Sequence, residues 1–236
     1  MSKSSDTSPA SIQIAECDKV RRTLLLDLDG TLVDTVPDLT AALNRLMASR
    51  GLPAFAVEQV TRMVGDGVPV LIQRAFAARA RPPDDQAVAD FLADYDSHVA
   101  VASRLYPAVT DTLSAMVHTG WRLAVCTNKP ERAARMLLQA MGLLPLLQAV
   151  GGGDSFTVRK PDPRHLLETL ALAGGEPRRA LMLGDHHNDV ASARGAGIGC
   201  IFALWGYGAP EQAAGALAVA HTMPEAAAAA ERLLPA

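Results

Sequence analysis

The chain has 236 residues, of which 49% are hydrophobic and 20% charged, and its formal net charge at pH 7 is -3. This length and composition permit a substantial hydrophobic core in one or two domains. The net charge is slightly negative, and the chain has no runs of lysine or arginine that would form a basic patch for nucleic acid. We therefore expect no nucleic-acid partner. The uncharged stretch 195–210 is interrupted by glycines and is too short to span a membrane, so we expect no membrane partner.

The three cysteines are scattered and show neither metal-type spacing nor a disulfide framework, which favours a reducing, cytoplasmic location. Residues 1–19 are polar and are predicted to form a flexible tail. A first strand is predicted over about residues 23–28, followed by an amphipathic helix that Pro37 opens and Gly51 ends. From there to about residue 105 the patterns are helical, which predicts an inserted all-helical cap over residues 36–106.

After residue 107 the pattern alternates between helix and strand until about residue 204, which predicts βαβ units and a parallel sheet. The alanine-rich end, residues 213–236, is predicted to be a terminal helical region packed on that sheet. The predicted fold class is therefore α/β, with a Rossmann-like parallel-sheet core and helices on both of its faces. Residues 20–35 and 107–236 form this core, and the helical cap is inserted between them.

The most informative feature of the chain is a pair of carboxylates at the end of the first predicted strand. Asp27 and Asp29 are two residues apart, so they face the same side if the strand extends that far, and Gly30 then lets the chain turn away. One carboxylate is suited to attack phosphorus, while the other is suited to donate or accept a proton. A divalent cation between them would relieve the repulsion between the two carboxylates and an anionic substrate.

Three further segments end apolar stretches with groups that phosphoryl transfer needs. Thr127 and Asn128 follow the second strand and supply donors for phosphate oxygens. Lys160 precedes a proline-started helix, where its ammonium can offset negative charge. Asp185 and Asp189 follow a later strand and offer the oxygen ligands that Mg²⁺ prefers. Because open α/β sheets bind ligands at the carboxyl ends of their strands, the predicted fold and chemistry agree.

These four segments resemble the four motifs of the haloacid-dehalogenase-like hydrolases, and in particular their phosphoglycolate-phosphatase-like branch. The resemblance implies that Asp27 is the nucleophile that forms an aspartyl-phosphate. It implies that Asp29 is the general acid for the leaving alkoxide and then the general base for water. Thr127 and Lys160 are expected to hold the phosphate, and Asn128 is expected to help position the phosphoryl group.

The resemblance also implies a Mg²⁺ site. Its ligands are expected to be the Asp27 carboxylate, the backbone carbonyl of Asp29 and the Asp185 carboxylate. Asp189 is expected to steady either the metal's water molecules or Lys160 without binding the metal itself.

The sequence departs from the family pattern after Asp185, where a small hydroxyl residue is common and this chain has His186 and His187. A transition-metal site is one interpretation of the pair, but no cysteine or third histidine lies nearby in sequence, so ordinary structural histidines are favoured. In the cap, the resemblance points to a loop at residues 65–67 that faces the core. Arg62 and Arg74 lie near this loop and are candidates for binding a substrate carboxylate, although helix arginines are commonly solvated.

The sequence predicts a Mg²⁺-dependent phosphatase of a small phosphorylated metabolite, with 2-phosphoglycolate as the favoured substrate. The cap contains no lysine, which disfavours an imine-forming phosphonatase, and Asp29 disfavours a dehalogenase. Another metabolite phosphatase remains an alternative, acting on a sugar or amino-sugar phosphate, a nucleotide or pyrophosphate. A hexose-phosphate mutase and a non-catalytic phosphate-binding protein also remain. Either a monomer or a homodimer is compatible with the sequence.

Overall fold

The computed structural model describes residues 21–236, and the predicted tail at residues 1–19 lies outside them. The strands are β1 (Thr23–Leu26), β2 (Val33–Asp34), β3 (Arg104–Leu105), β4 (Arg122–Cys126), β5 (Ala149–Gly151), β6 (Ala180–Gly184), β7 (Gly199–Ala203) and β8 (Ala218–Ala220). The α-helices are α1 (Val36–Ser49), α2 (Val57–Thr61), α3 (Val68–Ala77), α4 (Ala87–Asp96), α5 (Val109–His118), α6 (Glu131–Ala140), α7 (Pro163–Leu172), α8 (His187–Gly195) and α9 (Met223–Leu233).

Six strands form one parallel sheet in the order β5-β4-β1-β6-β7-β8. In the centre, Leu24 of β1 pairs with Leu123 of β4 on one side and with Leu181 of β6 on the other. β1 is buried along its whole length, as expected of a parallel strand that helices cover on both faces. These features confirm the predicted α/β fold class.

Two hydrophobic clusters lie on opposite faces of the sheet. Leu24 and Leu26 belong to one cluster and Leu25 to the other, because successive side chains of a strand point to opposite faces. Buried residues of α5, α6 and α9 pack in the first cluster, and those of α7 and α8 pack in the second. Within residues 21–236 no helix has both the length and the apolar character needed to cross a membrane.

Helices α1 to α4 are inserted after β2 and return to the sheet through β3. β2 and β3 pair antiparallel, with Val33 opposite Leu105, so the two ends of the inserted segment are held side by side. The Asp38 carboxylate strengthens this junction by accepting hydrogen bonds from the backbone amides of Ala102 and Ser103 and from the Ser103 hydroxyl. The structure thus has helices where the sequence predicts a cap, while the domain boundaries at residues 36 and 106 remain predictions.

The structure differs from the sequence-based predictions in three ways. β1 ends at Leu26 rather than Leu28, because the Asp27 carboxylate accepts the Leu28 amide at 2.7 Å and the chain then turns at Gly30, where φ is 86°. The pairing of β2 with β3 was not predicted, since each strand has two residues and shows no alternation pattern. The alanine-rich end also contains β8, a three-residue edge strand in which two of the residues are alanines, which have weak strand propensity.

Candidate active site

The predicted site residues lie at one edge of the sheet, where three neighbouring strands end. Asp27, Thr127 and Asp185 each follow the last residue of β1, β4 and β6, respectively. Because β1 lies between β4 and β6, Asp27 occupies the middle of this edge. The sheet therefore brings together groups separated by more than 150 positions in sequence.

Lys160 lies just before α7 and pairs with two of the acidic residues. Its Nζ is 2.9 Å from Asp27 Oδ1 and 2.6 Å from Asp189 Oδ1, and the lysine side chain is 1% exposed. Burial opposes the charged ammonium, but Asp189 and Asp27 outweigh it and hold the pKa of Lys160 above its ordinary value. His165 orients this lysine, since its Nδ1 accepts the Lys160 backbone amide and its Nε2 lies 3.0 Å from the Gly152 carbonyl.

Three buried carboxylates form a compact acidic group. Each of Asp27, Asp185 and Asp189 offers an oxygen within 4.8 Å of the other two. Burial, followed by repulsion from Asp27 and Asp189, raises the pKa of Asp185 from 3.8 to about 7. Burial also raises the pKa of Asp27 to about 6, although Lys160 opposes the rise. Three carboxylates around a single ammonium leave an excess of negative charge, so this donor set fits a divalent cation that prefers oxygen ligands.

Asp185 is held in place by both of its oxygens. The Thr31 hydroxyl donates to Oδ1 at 2.7 Å, and the backbone amide of Tyr207 donates to Oδ2 at 2.7 Å. The glycines that flank Tyr207 permit this approach: a Cβ on Gly206 would lie 2.3 Å from the Asp185 Cβ, and one on Gly208 would lie 1.8 Å from the Asp185 carbonyl oxygen.

Asp29 has different surroundings from Asp27, and its carboxylate is not part of the acidic group. Its Oδ1 accepts hydrogen bonds from the Thr35 hydroxyl at 2.7 Å and from Lys129 Nζ at 3.0 Å. The condition under which Asp27 and Asp29 would share one side of an extended strand is not met, because β1 ends at Leu26. Both nevertheless line the same cavity.

A cavity of about 40 Å³ lies between the sheet edge and the inserted helices. The sheet side supplies Asp27, Asp29, Thr127, Asn128 and Lys129, and the helical side supplies Leu39, Val64, Gly65, Gly67, Val68 and Leu71. Lys160, Asp185 and Asp189 are grouped behind Asp27. The sheet edge thus assembles all seven of the predicted catalytic, phosphate-binding and metal-site residues, with Asp29 on the cavity wall but outside the acidic group.

The loop at residues 65–67 closes over this cavity, as predicted. The Asn128 side-chain amide donates to the carbonyls of Gly65 and Lys160, each at 3.0 Å. Asn188 donates to Asp66 Oδ1 at 2.7 Å. In this arrangement the amide hydrogens of Asn128 hold the loop, and its predicted contact with phosphate stays a prediction.

The remaining predicted candidates lie outside the cavity wall. Arg62 is exposed, and Arg74 pairs with Asp66 at 2.6 Å and donates to the Met63 carbonyl. His186 is the N-cap residue that precedes α8, and its Nδ1 accepts the Asn188 amide.

His186 is also packed so closely against the loop that a Cβ on Gly65 would lie 2.7 Å from its Nε2. His186, His187 and Asp66 offer atoms within 4.8 Å of one another, but Arg74 and Asn188 already engage the Asp66 carboxylate. A structural role therefore remains the favoured interpretation of the histidines.

Sequence reasoning missed Lys129, Thr31, Thr35 and His165. For Lys129 there was a usable signal, because it directly follows Thr127 and Asn128 and is one of four lysines in the chain. The other three residues stabilise site carboxylates or Lys160 from loops and a helix, and no local pattern marks them.

Residues 21–197 match the family model of the haloacid dehalogenase-like hydrolases. A phosphoglycolate phosphatase from Mesorhizobium japonicum is 42% identical over 191 residues, covering 79% of this chain and 84% of that protein. One from Rhodospirillum rubrum is 43% identical over 207 residues, covering 84% and 86%.

Solved structures agree with these matches. The crystal structure of a predicted phosphoglycolate phosphatase from Haemophilus somnus has a TM-score of 0.81 and 29% identity, covering 90% of this chain and 96% of that one. CbbY from Rhodobacter sphaeroides, solved in complex with phosphate, has a TM-score of 0.76 and 26% identity, covering 87% and 96%. The resemblance inferred from the motifs is confirmed, and the chain belongs to the haloacid dehalogenase-like hydrolases.

Proposed function

We propose that this hydrolase is a Mg²⁺-dependent phosphatase that converts 2-phosphoglycolate to glycolate and phosphate, with Asp27 as nucleophile. The observation that carries the proposal is the setting of the Asp27 carboxylate at the middle of the sheet edge. Its Oδ1 is held by the Leu28 amide at 2.7 Å and by Lys160 at 2.9 Å. Within residues 21–236 no group donates a hydrogen bond to Oδ2, so this oxygen is free to attack phosphorus.

In the first step, Asp27 Oδ2 attacks in line and forms a bond to phosphorus as the ester bond breaks. Asp29 gives its proton to the departing oxygen, which leaves as an alcohol. Lys160 and Thr127 stabilise the equatorial oxygens of the phosphoryl group. In the second step, Asp29 removes a proton from water, the water oxygen bonds to phosphorus, and the Asp27 carboxylate is released with inorganic phosphate.

The acidic group would hold Mg²⁺ through the carboxylates of Asp27 and Asp185. The backbone carbonyl of Asp29 is proposed as a further ligand, and Asp189 is proposed to hold Lys160, which it contacts at 2.6 Å. When bound, the cation supplies positive charge that reduces repulsion between the carboxylates and the phosphate dianion.

The choice of substrate is supported by the charged lining of the cavity, which brings Asp27, Asp29 and Lys129 together, and by the relatives of this chain. The relatives from M. japonicum and R. rubrum, which cover most of this chain, are named phosphoglycolate phosphatases. A reducing, cytoplasmic location is part of the proposal, and the free, buried thiols of Cys126 and Cys200 support it.

The test is phosphate release, with Mg²⁺, from a panel of 2-phosphoglycolate, hexose phosphates, amino-sugar phosphates, nucleotides and pyrophosphate. We expect a clear preference for 2-phosphoglycolate that Asp27→Asn abolishes. Preference for another member of the panel would retain the phosphatase and replace the substrate. Interconversion of hexose phosphates without phosphate release would instead establish a mutase, and binding without turnover would establish a phosphate-binding protein.

A further inference from the structure

Lys129 is a buried cation on the cavity wall that the phosphoryl-transfer steps above do not use. Its side chain is 3% exposed, and its Nζ lies 3.0 Å from Asp29 Oδ1 and 4.4 Å from the centre of the Tyr95 ring. Tyr95 belongs to α4 of the inserted segment and is itself 1% exposed. The ammonium therefore lies between the proposed general acid and an aromatic face of the helical segment.

The two buried lysines near the sheet edge have separate partners. Lys160 is paired with Asp27 and Asp189, on the side of the nucleophile. Lys129 is paired with Asp29, on the side where the leaving group departs. Burial opposes the charge on Lys129, but Asp29 outweighs it and holds its pKa above the ordinary value, so the ammonium remains charged across the neutral range.

The inserted helices contribute no cation to the cavity wall. Their lining residues are leucine, valine and glycine, and among residues 21–236 Lys129 is the sole positively charged residue of the lining. Arg74 is engaged by Asp66, and Arg62 is exposed, so neither of the arginines suggested by the sequence lies on the wall. An anionic leaving group would find its counter-charge on the sheet side, next to Asp29.

We propose that Lys129 binds the carboxylate of the substrate and thereby selects 2-phosphoglycolate, an inference that rests on the function proposed above. Asp29 must reach the ester oxygen to protonate it, and a single methylene joins that oxygen to the carboxylate carbon. A group in contact with Asp29 is therefore close to both. An ammonium has three N–H donors, and Asp29 takes at most two of them, through Oδ1 at 3.0 Å and Oδ2 at 3.4 Å, which leaves one for the carboxylate.

Tyr95 positions the ammonium in this arrangement. Its ring lies on one side of Nζ, excludes water there and favours the cation through its π face. Because Tyr95 lies on α4 and Lys129 follows β4, recognition of the carboxylate depends on both the inserted helices and the sheet. The backbone of Lys129 is fixed separately, since its amide donates to the Thr127 hydroxyl and its carbonyl accepts the Gly153 amide.

The test compares 2-phosphoglycolate with ethyl phosphate, a phosphomonoester of the same chain length that lacks the carboxylate. In the full-length Mg²⁺-loaded enzyme, Lys129→Gln retains a donor for Asp29 but removes the charge. We expect its kcat/KM to fall about 100-fold for 2-phosphoglycolate and only a few-fold for ethyl phosphate, because a charge-assisted hydrogen bond is lost with the first substrate alone. Lys129→Arg should retain part of the preference, and the control Arg62→Gln should retain all of it.

Binding of glycolate to the same proteins, measured by calorimetry, gives a second readout that needs no turnover. We expect the wild type to bind glycolate more tightly than Lys129→Gln does. An equal fall of kcat/KM for both substrates would overturn the assignment and make Lys129 a support for Asp29. A wild type that does not prefer 2-phosphoglycolate to ethyl phosphate would instead overturn the proposed substrate. Should Lys129→Gln not fold, Lys129→Met takes its place in both assays. Lys129→Arg, which keeps the charge, should then bind glycolate more tightly than Lys129→Met does.

Discussion

Removal of the Asp185 charge should stabilise the metal-free protein while abolishing its response to metal. Asp185 is 2% exposed and lies among two other carboxylates. Asparagine has nearly the same shape and can keep both contacts. Its amide oxygen can accept the Tyr207 amide, and its amide nitrogen can donate to the Thr31 hydroxyl oxygen, which is free to rotate its proton away.

The magnitude follows from the pKa of this carboxyl group. Burial first, and then repulsion from Asp27 and Asp189, raise the pKa of Asp185 from 3.8 to about 7. At 1.36 kcal/mol per pH unit, that difference corresponds to about 4 kcal/mol of folded-state cost for the ionised form. Because the folded protein holds the proton more tightly than the unfolded chain, the free energy of unfolding decreases as the pH rises from about 4 to about 8.

The assay is urea unfolding in EDTA at pH 5 and pH 8, repeated with Mg²⁺ at pH 8. For Asp185→Asn we expect a free energy of unfolding about 2–4 kcal/mol above that of the wild type at pH 8, with the difference reduced to about 1–2 kcal/mol at pH 5. Mg²⁺ should stabilise the wild type and leave the variant unchanged. A variant destabilised equally at both pH values would refute the reasoning, because the carboxylate would then be a net structural support.

Three further outcomes are expected. Asp27→Asn should remove turnover while the circular dichroism spectrum stays close to that of the wild type, and substantial residual phosphatase activity would contradict its assignment as nucleophile. Mg²⁺ affinity measured by calorimetry should be about 20-fold lower at pH 6 than at pH 8, because protonation of Asp27 and Asp185, with pKa values of about 6 and about 7, competes with the metal. Gly65→Ala would place a Cβ 2.7 Å from His186 Nε2 at a φ of 122°, so kcat/KM should fall about tenfold. Gly51→Ala, at a φ of 65° with nothing within 4 Å, is its control, and equal losses in both would show that closure of the loop is not involved.

The sequence was sufficient to predict which residues meet at the sheet edge. Asp27, Thr127 and Asp185 each follow an apolar run, and the strand ends of a parallel sheet meet at one edge, so their assembly required no knowledge of side-chain packing. Lys160 was also placed correctly, because a proline-started helix follows it and its charge complements the carboxylates. These predictions depend on local patterns and one general property of parallel sheets.

The surroundings of Asp29 were not predictable in the same way. Its partner Lys129 is 100 positions away, and the segment around Lys129 has the pattern of an ordinary helix start. A single lysine in such a segment is by default solvated. Its burial depends on Tyr95 of α4, and the packing of the inserted helices on the sheet has no short-range signal. For the same reason, Arg62 and Arg74 were plausible candidates until their positions were known.

The early end of β1 gives Asp27 and Asp29 different environments, and this difference suits the different roles proposed for them. Had the strand continued to Leu28, both carboxylates would have faced one side and entered the same acidic group. Instead the chain turns after Leu26, so Asp27 stays with Lys160 in the buried group and Asp29 reaches the cavity wall beside Lys129. A nucleophile benefits from a fixed carboxylate next to the phosphate, whereas an acid-base group must contact the leaving oxygen and then water. The irregular turn that ends β1 early is therefore the feature that separates the two proposed roles.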